Sequence, residues 1–295
     1  MSDLLNTPAP RARLRELLNG RGPLIAPGAY DSLSARLIEQ AGFEAVYMTG
    51  FGTTASLIGR PDVGLISATE MVDNARRIVA AVDVPVIADG DTGYGNAINV
   101  LRTVKLYEQA GVSAIQLEDQ VTPKRCGHMS GKQVIPLREM LGKITAALDA
   151  RRDPDFLIIA RTDAAAVDGV NSAIERARAF AAAGADLLFV EAPSSTHDIS
   201  RITQELSGVA PLVFNSAEGG KTPALTLPQL DELGFSLVLY PISTLLAATA
   251  GMRSILATIA RDGTPHAALP EVPSFDEFTS IVGLPEIGVL EKRYS

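Results

Sequence analysis

Short apolar runs alternate with amphipathic segments along most of this chain. Eight runs have the length and composition of buried strands: 23–27, 44–48, 84–88, 114–118, 156–160, 187–190, 211–214 and 236–240. The segments between them, such as DSLSARLIEQAGF and SATEMVDNARRIVAAV, carry apolar residues at the spacing of one helix face. Strands that alternate with helices form parallel sheets, so the pattern predicts an α/β protein with a (β/α)8 TIM barrel. A doubly wound open sheet is the alternative.

The domain organisation predicted from the sequence is simple. No linker rich in proline, glycine or serine interrupts the chain, and its composition does not shift abruptly. We therefore expect one TIM-barrel domain over residues 1–295, with a helical N-terminal extension at 1–20. Residues 265–295, rich in proline and glutamate, predict a helical tail that packs outside the barrel or on a neighbouring subunit.

The composition narrows the class of protein. A net charge of −8 disfavours a nucleic-acid or membrane partner, although it leaves local basic sites open. The single cysteine excludes an intrachain disulfide and any metal site built from cysteines alone. The N-terminal stretch has no apolar core of the signal-peptide type, and no apolar run reaches the roughly 20 residues of a membrane span. We expect a cytoplasmic protein.

Polar side chains follow the predicted strands at the same end, strand after strand. The catalytic groups of a TIM barrel lie just after the carboxyl ends of its strands. A random surface would scatter such groups, so their arrangement indicates an active site at that end of the barrel. The groups are Thr49, Asp89, Asp91, Glu118, Asp119, Cys126, Arg161, Asp163, Glu191 and Asn215.

Three acids among these groups, Asp89, Asp91 and Glu118, follow adjacent strands. Oxygen ligands without histidine suit Mg²⁺ or Mn²⁺. Because Mg²⁺ usually keeps several waters, we expect Asp91 to bind the metal directly while Asp89 and Glu118 hold metal-bound waters. The alternative is that these acids are helix caps and solvated loop charges.

Arg161, Glu191 and Asn215 follow later strands. An arginine at a strand end can hold a carboxylate through two parallel hydrogen bonds, so Arg161 is a candidate for binding an acidic substrate. A structural pair with an acid that braces the barrel mouth is the alternative, and both roles can coexist. Asn215 is a candidate donor to a substrate carboxylate or a loop-capping amide.

The only cysteine, Cys126, lies in the sequence KRCGH at residues 124–128. Gly127 and Gly131 indicate a mobile loop rather than a helix. Nearby cations and the imidazole favour the charged form of the thiol, so this loop has the features of a group that is delivered to a substrate. A solvated basic turn with an incidental cysteine is the alternative.

Several stretches match the motifs of a known superfamily: PGAYDSLSARL, VYMTGFGTTASLIGRPDVGL, PVIADGDTGYGNA, IQLEDQVTPKRCGHMSGK, DFLIIARTDA, LLFVEAP and EGGKTP. Through them the chain resembles the isocitrate lyase/phosphoenolpyruvate mutase superfamily over essentially its whole length. The resemblance implies a (β/α)8 barrel, a divalent metal (Mg²⁺ or Mn²⁺) and a small dicarboxylate or 2-oxo acid substrate. It also implies a homo-oligomer: dimers that exchange their last barrel helix and pair into a homotetramer.

The same resemblance implies roles for individual residues. Asp62, Glu118, Arg161 and Cys126 would be catalytic, with Cys126 as the general acid found in the lyases. Asp89 and Asp91 would hold the metal, and Glu118 would act from behind them. The residues implied in substrate binding are Tyr47, Thr49, Gly50, Phe51, Gly127, His128, Arg161, Glu191, Asn215 and Pro241.

Within the superfamily, Cys126 and His128 favour the carbon–carbon lyases. We expect Mg²⁺-dependent cleavage of a substituted 2-hydroxy dicarboxylate, similar to 2,3-dimethylmalate, into a 2-oxo acid such as pyruvate and a short carboxylate. The alternatives are an oxaloacetate hydrolase or decarboxylase, and a phosphonomutase of the carboxyphosphonoenolpyruvate type. A pocket wall of Leu245 and Leu246, with no cation nearby, favours a methylated dicarboxylate over a tricarboxylate.

Overall fold

The structure, a computed structural model, describes residues 11–295. Its centre is a closed barrel of parallel strands in the order β1 to β8, in which β1 also pairs with β8. The closed barrel confirms the predicted (β/α)8 fold and excludes the open sheet. The strands are β1 (Leu24–Ala29), β2 (Val46–Met48), β3 (Val86–Asp89), β4 (Ala114–Glu118), β5 (Leu157–Thr162), β6 (Leu187–Val190), β7 (Leu212–Asn215) and β8 (Phe235–Tyr240).

Each predicted strand is present, and its bounds agree with the pattern to within two residues at either end. Helices precede the first strand, follow the strands around the barrel and form the C-terminal part of the chain. They are α1 (Ala12–Leu18), α2 (Ser32–Gln40), α3 (Gly50–Ile58), α4 (Ala68–Val79), α5 (Ala97–Ala110), α6 (Leu137–Ala150), α7 (Val170–Ala182), α8 (Thr196–Leu206), α9 (Leu227–Glu232), α10 (Ser243–Asp262), α11 (Phe275–Ile281) and α12 (Leu284–Tyr294).

Two buried clusters hold the barrel together, because successive side chains of a strand point to opposite faces. Alternate strand residues such as Ile87, Ile159 and Phe189 fill the barrel interior, where Leu14 of α1 joins them. The remaining strand residues pack outward against the helices. Helix α1 lies within the predicted N-terminal extension, whose residues 1–10 are outside the described part of the chain.

The C-terminal part departs from a regular barrel. Helix α10 follows β8 but has no buried residue, and Leu246, Met252 and Leu256 on it are exposed. An apolar groove lined by Ile25, Leu37 and others remains open beside α2 and β1. Beyond α10 come a 3₁₀ helix, His266–Glu271, and then α11 and α12.

One helix in residues 11–295, α10, is long and apolar enough to span a membrane by length and composition, with a mean hydropathy of 1.3. This finding does not contradict the expectation that no unbroken apolar run reaches this length. The expectation considered unbroken apolar runs, whereas the helix combines apolar residues with small and hydroxylated ones.

Candidate active site

A cavity of about 250 Å³ lies at the carboxyl ends of the strands, where the polar residues were predicted to meet. Gly50, Asp91 and Glu118 of the predicted set do not line the cavity. They contact residues that do, namely Asp89 and Arg161. Lys124, Met129, Ala217 and Ile242 line it although the sequence did not single them out as site residues. The predicted residues that line it are Tyr47, Thr49, Phe51, Asp62, Asp89, Cys126, Gly127, His128, Arg161, Glu191, Asn215 and Pro241.

Asp89 is the last residue of β3, Asp91 follows two positions later, and both are buried. The backbone N–H of Asp91 donates to Asp89 Oδ1 at 3.0 Å, and Asp91 has a left-handed backbone with φ of 48°. Aspartate tolerates this region better than most residues, although it still stores strain. Burial, followed by the charge of Asp91, raises the pKa of Asp89 to about 6. The Asp89 carboxyl group thus lacks enough positive charge nearby to stabilise its ionised form fully.

The nearest cation to this acidic pair is Lys124, whose side chain is only 5% exposed. Its Nζ lies 2.6 Å from Asp62 Oδ2 and 2.7 Å from Asp91 Oδ1. Burial alone would lower the pKa of Lys124, but the carboxylates of Asp91 and Asp62 raise it well above its usual value. Burial raises the pKa of Asp62 despite this partner. The sequence offered one signal for Lys124, its place in the motif beside Cys126.

Glu118, at the end of β4, is a third buried acid near Asp89 and Asp91. It accepts a hydrogen bond from Gln120 Nε2 at 2.9 Å, and its Oε2 is 3.3 Å from Arg161 Nε. Burial raises the pKa of Glu118 well above the usual value, more than Arg161 lowers it. Glu118 therefore connects the acidic group to Arg161.

These residues fit a divalent cation that keeps part of its water shell. A Cβ at Gly50 would lie 2.6 Å from Asp89 Oδ2 and 3.5 Å from Asp91 Oδ1, so glycine leaves this space open. Hard carboxylate oxygens are suitable ligands for Mg²⁺. Within residues 11–295, no three acidic, histidine or cysteine side chains converge as a complete protein-only site. Water would supply the remaining ligands.

Arg161, at the end of β5, is already held by protein carboxylates. Its Nε and Nη2 donate to Asp163 at 2.9 and 3.1 Å, and its guanidinium carbon lies 5.2 Å from the Phe189 ring centroid. Burial would raise the pKa of Asp163, but Arg161 and Lys132 outweigh it and lower that pKa to about 2. The structural alternative considered for Arg161 is therefore present, and the same guanidinium also lines the cavity.

Glu191, the residue after β6, contacts both the end of β7 and the KRCGH motif. Both carboxylate oxygens lie 3.3 Å from Asn215 Nδ2, and Oε1 lies 3.3 Å from His128 Nε2. His128 Nδ1 accepts a hydrogen bond from the backbone N–H of Lys221 at 3.1 Å. Burial lowers the pKa of His128, which favours the neutral ring with its proton on Nε2. The KRCGH motif and the EGGKTP stretch thus meet over the cavity.

Cys126 lines the cavity, and its backbone N–H donates to Asp62 O at 3.1 Å. Burial raises the pKa of its thiol, more than the backbone hydrogen bond from His128 lowers it. The expectation that neighbouring cations favour the thiolate is therefore wrong in direction. Lys124 turns away to the carboxylates, so desolvation dominates. The thiol is a protonated group in this geometry.

The backbone of Gly127 lies close against two side chains at the strand ends, Glu191 and Arg161. A Cβ here would lie 2.1 Å from Glu191 Oε1 and 2.5 Å from Arg161 Nη2. Only glycine leaves room for this backbone against both side chains. Gly127 therefore allows the thiol next to it to reach the cavity.

The remaining predicted binding residues form the cavity floor and walls. Tyr47 donates to Gln116 Oε1 at 3.2 Å, and Thr49 caps α3 by accepting from the N–H of Gly52. The wall expected from Leu245 and Leu246 is absent from the cavity: neither leucine lines it, and Leu246 is exposed on α10. The apolar lining residues near the start of α10 and after β7 are Pro241, Ile242 and Ala217.

The phosphoenolpyruvate phosphomutase family model matches residues 14–260, which include all eight strands and every lining residue of the cavity. The chain belongs to the phosphoenolpyruvate phosphomutase family. Relatives of this family member include 2,3-dimethylmalate lyase of Eubacterium barkeri, 46% identical over 96% of this chain and 98% of the relative. They also include 2-methylisocitrate lyase of Aeropyrum pernix, 44% identical over 92% of this chain and 86% of that protein. The protein is an enzyme of the superfamily that its motifs indicated.

Solved structures of the phosphoenolpyruvate phosphomutase family give the same picture. A crystal structure of 2,3-dimethylmalate lyase superposes with a TM-score of 0.92 at 37% identity, over 98% and 97% of the two chains. Oxaloacetate acetylhydrolase with 3,3-difluorooxalacetate gives 0.91 at 37% identity, over 96% of each chain. Phosphonopyruvate hydrolase with oxalate and Mg²⁺ superposes with a TM-score of 0.88 at 34% identity, over 96% of this chain and 98% of the hydrolase.

Proposed function

We propose that this enzyme is a divalent-metal-dependent carbon–carbon lyase. Its substrate would be a substituted 2-hydroxy dicarboxylate similar to 2,3-dimethylmalate, and its products a 2-oxo acid such as pyruvate and a short carboxylate. The 46% identity to 2,3-dimethylmalate lyase over nearly the whole of both chains supports this assignment. The observation that carries it is the Cys126 thiol, kept protonated by burial in the same cavity as Arg161.

The reaction needs one base and one acid. A base removes the proton of the C2 hydroxyl, and the C2–C3 bond breaks as C2 becomes a ketone. The electron pair of that bond stays on C3 beside a carboxylate, and an acid protonates it there. Dimethylmalate would thus yield pyruvate and propionate. Cys126 is our general acid, because a buried thiol that holds its proton can give it to a carbanion.

Asp62 is our candidate base. It lines the cavity, and burial raises its pKa, so its carboxylate is a stronger proton acceptor than an exposed one. Lys124 at 2.6 Å is placed to stabilise the ionised form of Asp62. Arg161 would stabilise negative charge at the 2-oxo acid end while Asp163 keeps its guanidinium oriented.

Asp89 and Asp91 would hold a Mg²⁺ ion, with Glu118 supporting it through water. A bound divalent cation supplies Lewis-acid stabilisation of oxygen charge at this end of the cavity. The Mg²⁺ that accompanies oxalate in phosphonopyruvate hydrolase supports this assignment. Mn²⁺ is the second candidate, because it takes similar oxygen ligands.

A product assay tests the proposal directly. The purified protein with Mg²⁺ is incubated separately with 2,3-dimethylmalate, 2-methylisocitrate and oxaloacetate, and NMR follows the products, with a chelator control. We expect pyruvate and propionate from dimethylmalate and little turnover of methylisocitrate, since the lining residues Pro241, Ile242 and Ala217 offer apolar contacts rather than a cation for a third carboxylate. Turnover of methylisocitrate but not dimethylmalate would contradict the substrate assignment.

The second candidate is hydrolysis or decarboxylation of oxaloacetate. The likeness to oxaloacetate acetylhydrolase favours it, at a TM-score of 0.91 over nearly the whole chain. The same assay separates the two functions, since turnover of oxaloacetate alone would identify this activity. Cys126 would then have no carbanion to protonate in the lyase sense.

We also propose that two subunits exchange α10. In a TIM barrel each helix covers the strand before it, yet α10 buries none of its residues and an apolar groove lies open beside α2. A second copy of α10 is the occupant of matching chemistry. Sedimentation should show an oligomer that Leu256→Asp weakens and Ile98→Asp, also at an exposed apolar site, does not. A monomer in sedimentation would contradict the exchange of α10.

The cytoplasmic location expected from the sequence stays a prediction.

A further inference from the structure

Lys132 is a buried lysine that the proposed chemistry does not use. Its side chain is 2% exposed, and it belongs to the gating segment, defined here as residues 121–133. The gating segment is pinned at its base, where Gln120 bridges to Val134. Lys132 Nζ donates to Asp163 Oδ1 at 2.6 Å and to the carbonyl oxygen of Gly127 at 2.5 Å.

We propose that Lys132 is a positioning residue that holds the gating segment closed and aligns it with Arg161. The inference rests on the proposed function for its catalytic consequence, but the closure itself does not depend on which reaction occurs. Lys132 Nζ contacts neither the Cys126 thiol nor the Arg161 guanidinium directly. It acts through the Gly127 carbonyl on one side and through Asp163 on the other.

The charges explain why this contact is specific to the closed segment. Asp163 is fully buried and receives two cations at once, Arg161 from β5 and Lys132 from the gating segment. A buried carboxylate needs such partners, and a buried ammonium needs acceptors for its protons. An open segment would take Lys132 away and leave Asp163 with Arg161 alone. Closure therefore completes the charge balance behind the cavity.

The same contact fixes the backbone beside the thiol. Gly127 lies between Cys126 and His128, and its carbonyl is the acceptor for Lys132. The opposite side of Gly127 has no free space, because a Cβ would meet Glu191 and Arg161. The hydrogen bond from Lys132 thus holds this peptide next to the strand ends. Lys132 therefore contributes to the position of the thiol through Gly127 and to the orientation of Arg161 through Asp163.

Cys126 reports opening without any substrate, since it is the only cysteine of the chain. We would measure its alkylation by iodoacetamide in the wild type, Lys132→Met and Lys132→Arg. Lys105→Met, at an exposed lysine of α5, is the matched control. Lys132→Met should raise the alkylation rate at least about tenfold, the effect of losing one hydrogen bond to a charged group. Lys132→Arg should recover part of the protection, and Lys105→Met should match the wild type.

The dependence on urea separates local opening from general destabilisation. Local opening exposes little surface, so the raised rate should hardly change at low urea, whereas global unfolding makes the rate climb steeply. A wild-type rate in Lys132→Met, or an increase that follows global unfolding only, would overturn the proposal. If Lys132→Met lacks the native circular dichroism spectrum, Lys132→Gln takes its place. Faster alkylation in Lys132→Met, in a protein that yields no lyase product, would support the positioning role of Lys132 and contradict the proposed lyase function.

Discussion

Lys124 Nζ lies 2.7 Å from Asp91 Oδ1, so a buried ammonium stands beside the carboxylate that we expect to bind the metal. The same ammonium pairs with Asp62. Lys124 therefore connects the candidate base to the candidate metal ligand. This relation makes the electrostatics of the site sensitive to one side chain.

Replacing Lys124 by methionine should destabilise the metal-free protein. The change leaves two buried carboxylates without their cation, which typically costs about 3–5 kcal/mol. Urea denaturation should show this loss, while Lys105→Met on the surface of α5 should unfold like the wild type. Equal stability of both variants would mean that solvent reaches these carboxylates freely.

The stability of the metal-free protein should fall as the pH rises through 6. The folded-state pKa of Asp89 is raised to about 6 from 3.8, so folding favours its neutral form. The stabilisation is complete below pH 3.8 and is lost as Asp89 ionises. At about 1.36 kcal/mol per pKa unit, the free energy of unfolding changes by up to about 3 kcal/mol. Asp89→Asn should remove this part of the pH dependence. Parallel curves for the two proteins in urea denaturation from pH 4 to 8 would contradict the assignment.

Asp91→Ala should abolish the response to Mg²⁺. A ligand present at 100 times its Kd stabilises a protein by about 2.7 kcal/mol, so Mg²⁺ should raise the Tm of the wild type. Calorimetry should detect no such rise in Asp91→Ala, whereas Asp149→Ala, at an exposed acid of α6, should behave like the wild type. A persistent Mg²⁺ response in Asp91→Ala would move the metal site elsewhere.

Cys126→Ser should lower kcat of the lyase reaction by about 10²- to 10⁴-fold, the usual contribution of a positioned general acid. A serine hydroxyl is a far weaker acid than the thiol, while its size is similar. Binding of pyruvate and the Tm should therefore change little. Turnover close to that of the wild type would reject Cys126 as the acid.

Gly127→Ala should keep the fold but prevent closure over the cavity. The added Cβ would lie 2.1 Å from Glu191 Oε1, a contact that forces the segment away. We expect kcat/KM to fall at least about 100-fold, since small misplacements of reacting groups carry costs of this order. Gly142→Ala is the control, because its Cβ meets nothing within 4 Å and alanine favours a helix. Similar kinetics for both variants would show that closure is not needed.

The fold and much of the site could be predicted from the order of residues alone. Periodicity located all eight strands because strand and helix spacings differ, and a parallel barrel gathers the residues after every strand at one end. Asp89, Cys126, Arg161 and Glu191 were therefore placed together without knowledge of any contact. The motifs shared with the superfamily indicated the same residues.

Contacts between distant segments were decided only by the tertiary structure. The path of the gating segment brings Lys124 to Asp62 and Asp91 and Lys132 to Asp163, separations in sequence that no local pattern encodes. It also buries the thiol, so desolvation reverses the effect expected from neighbouring charges. Local sequence determines periodicity and residue type, whereas burial and charge pairing depend on which surfaces meet.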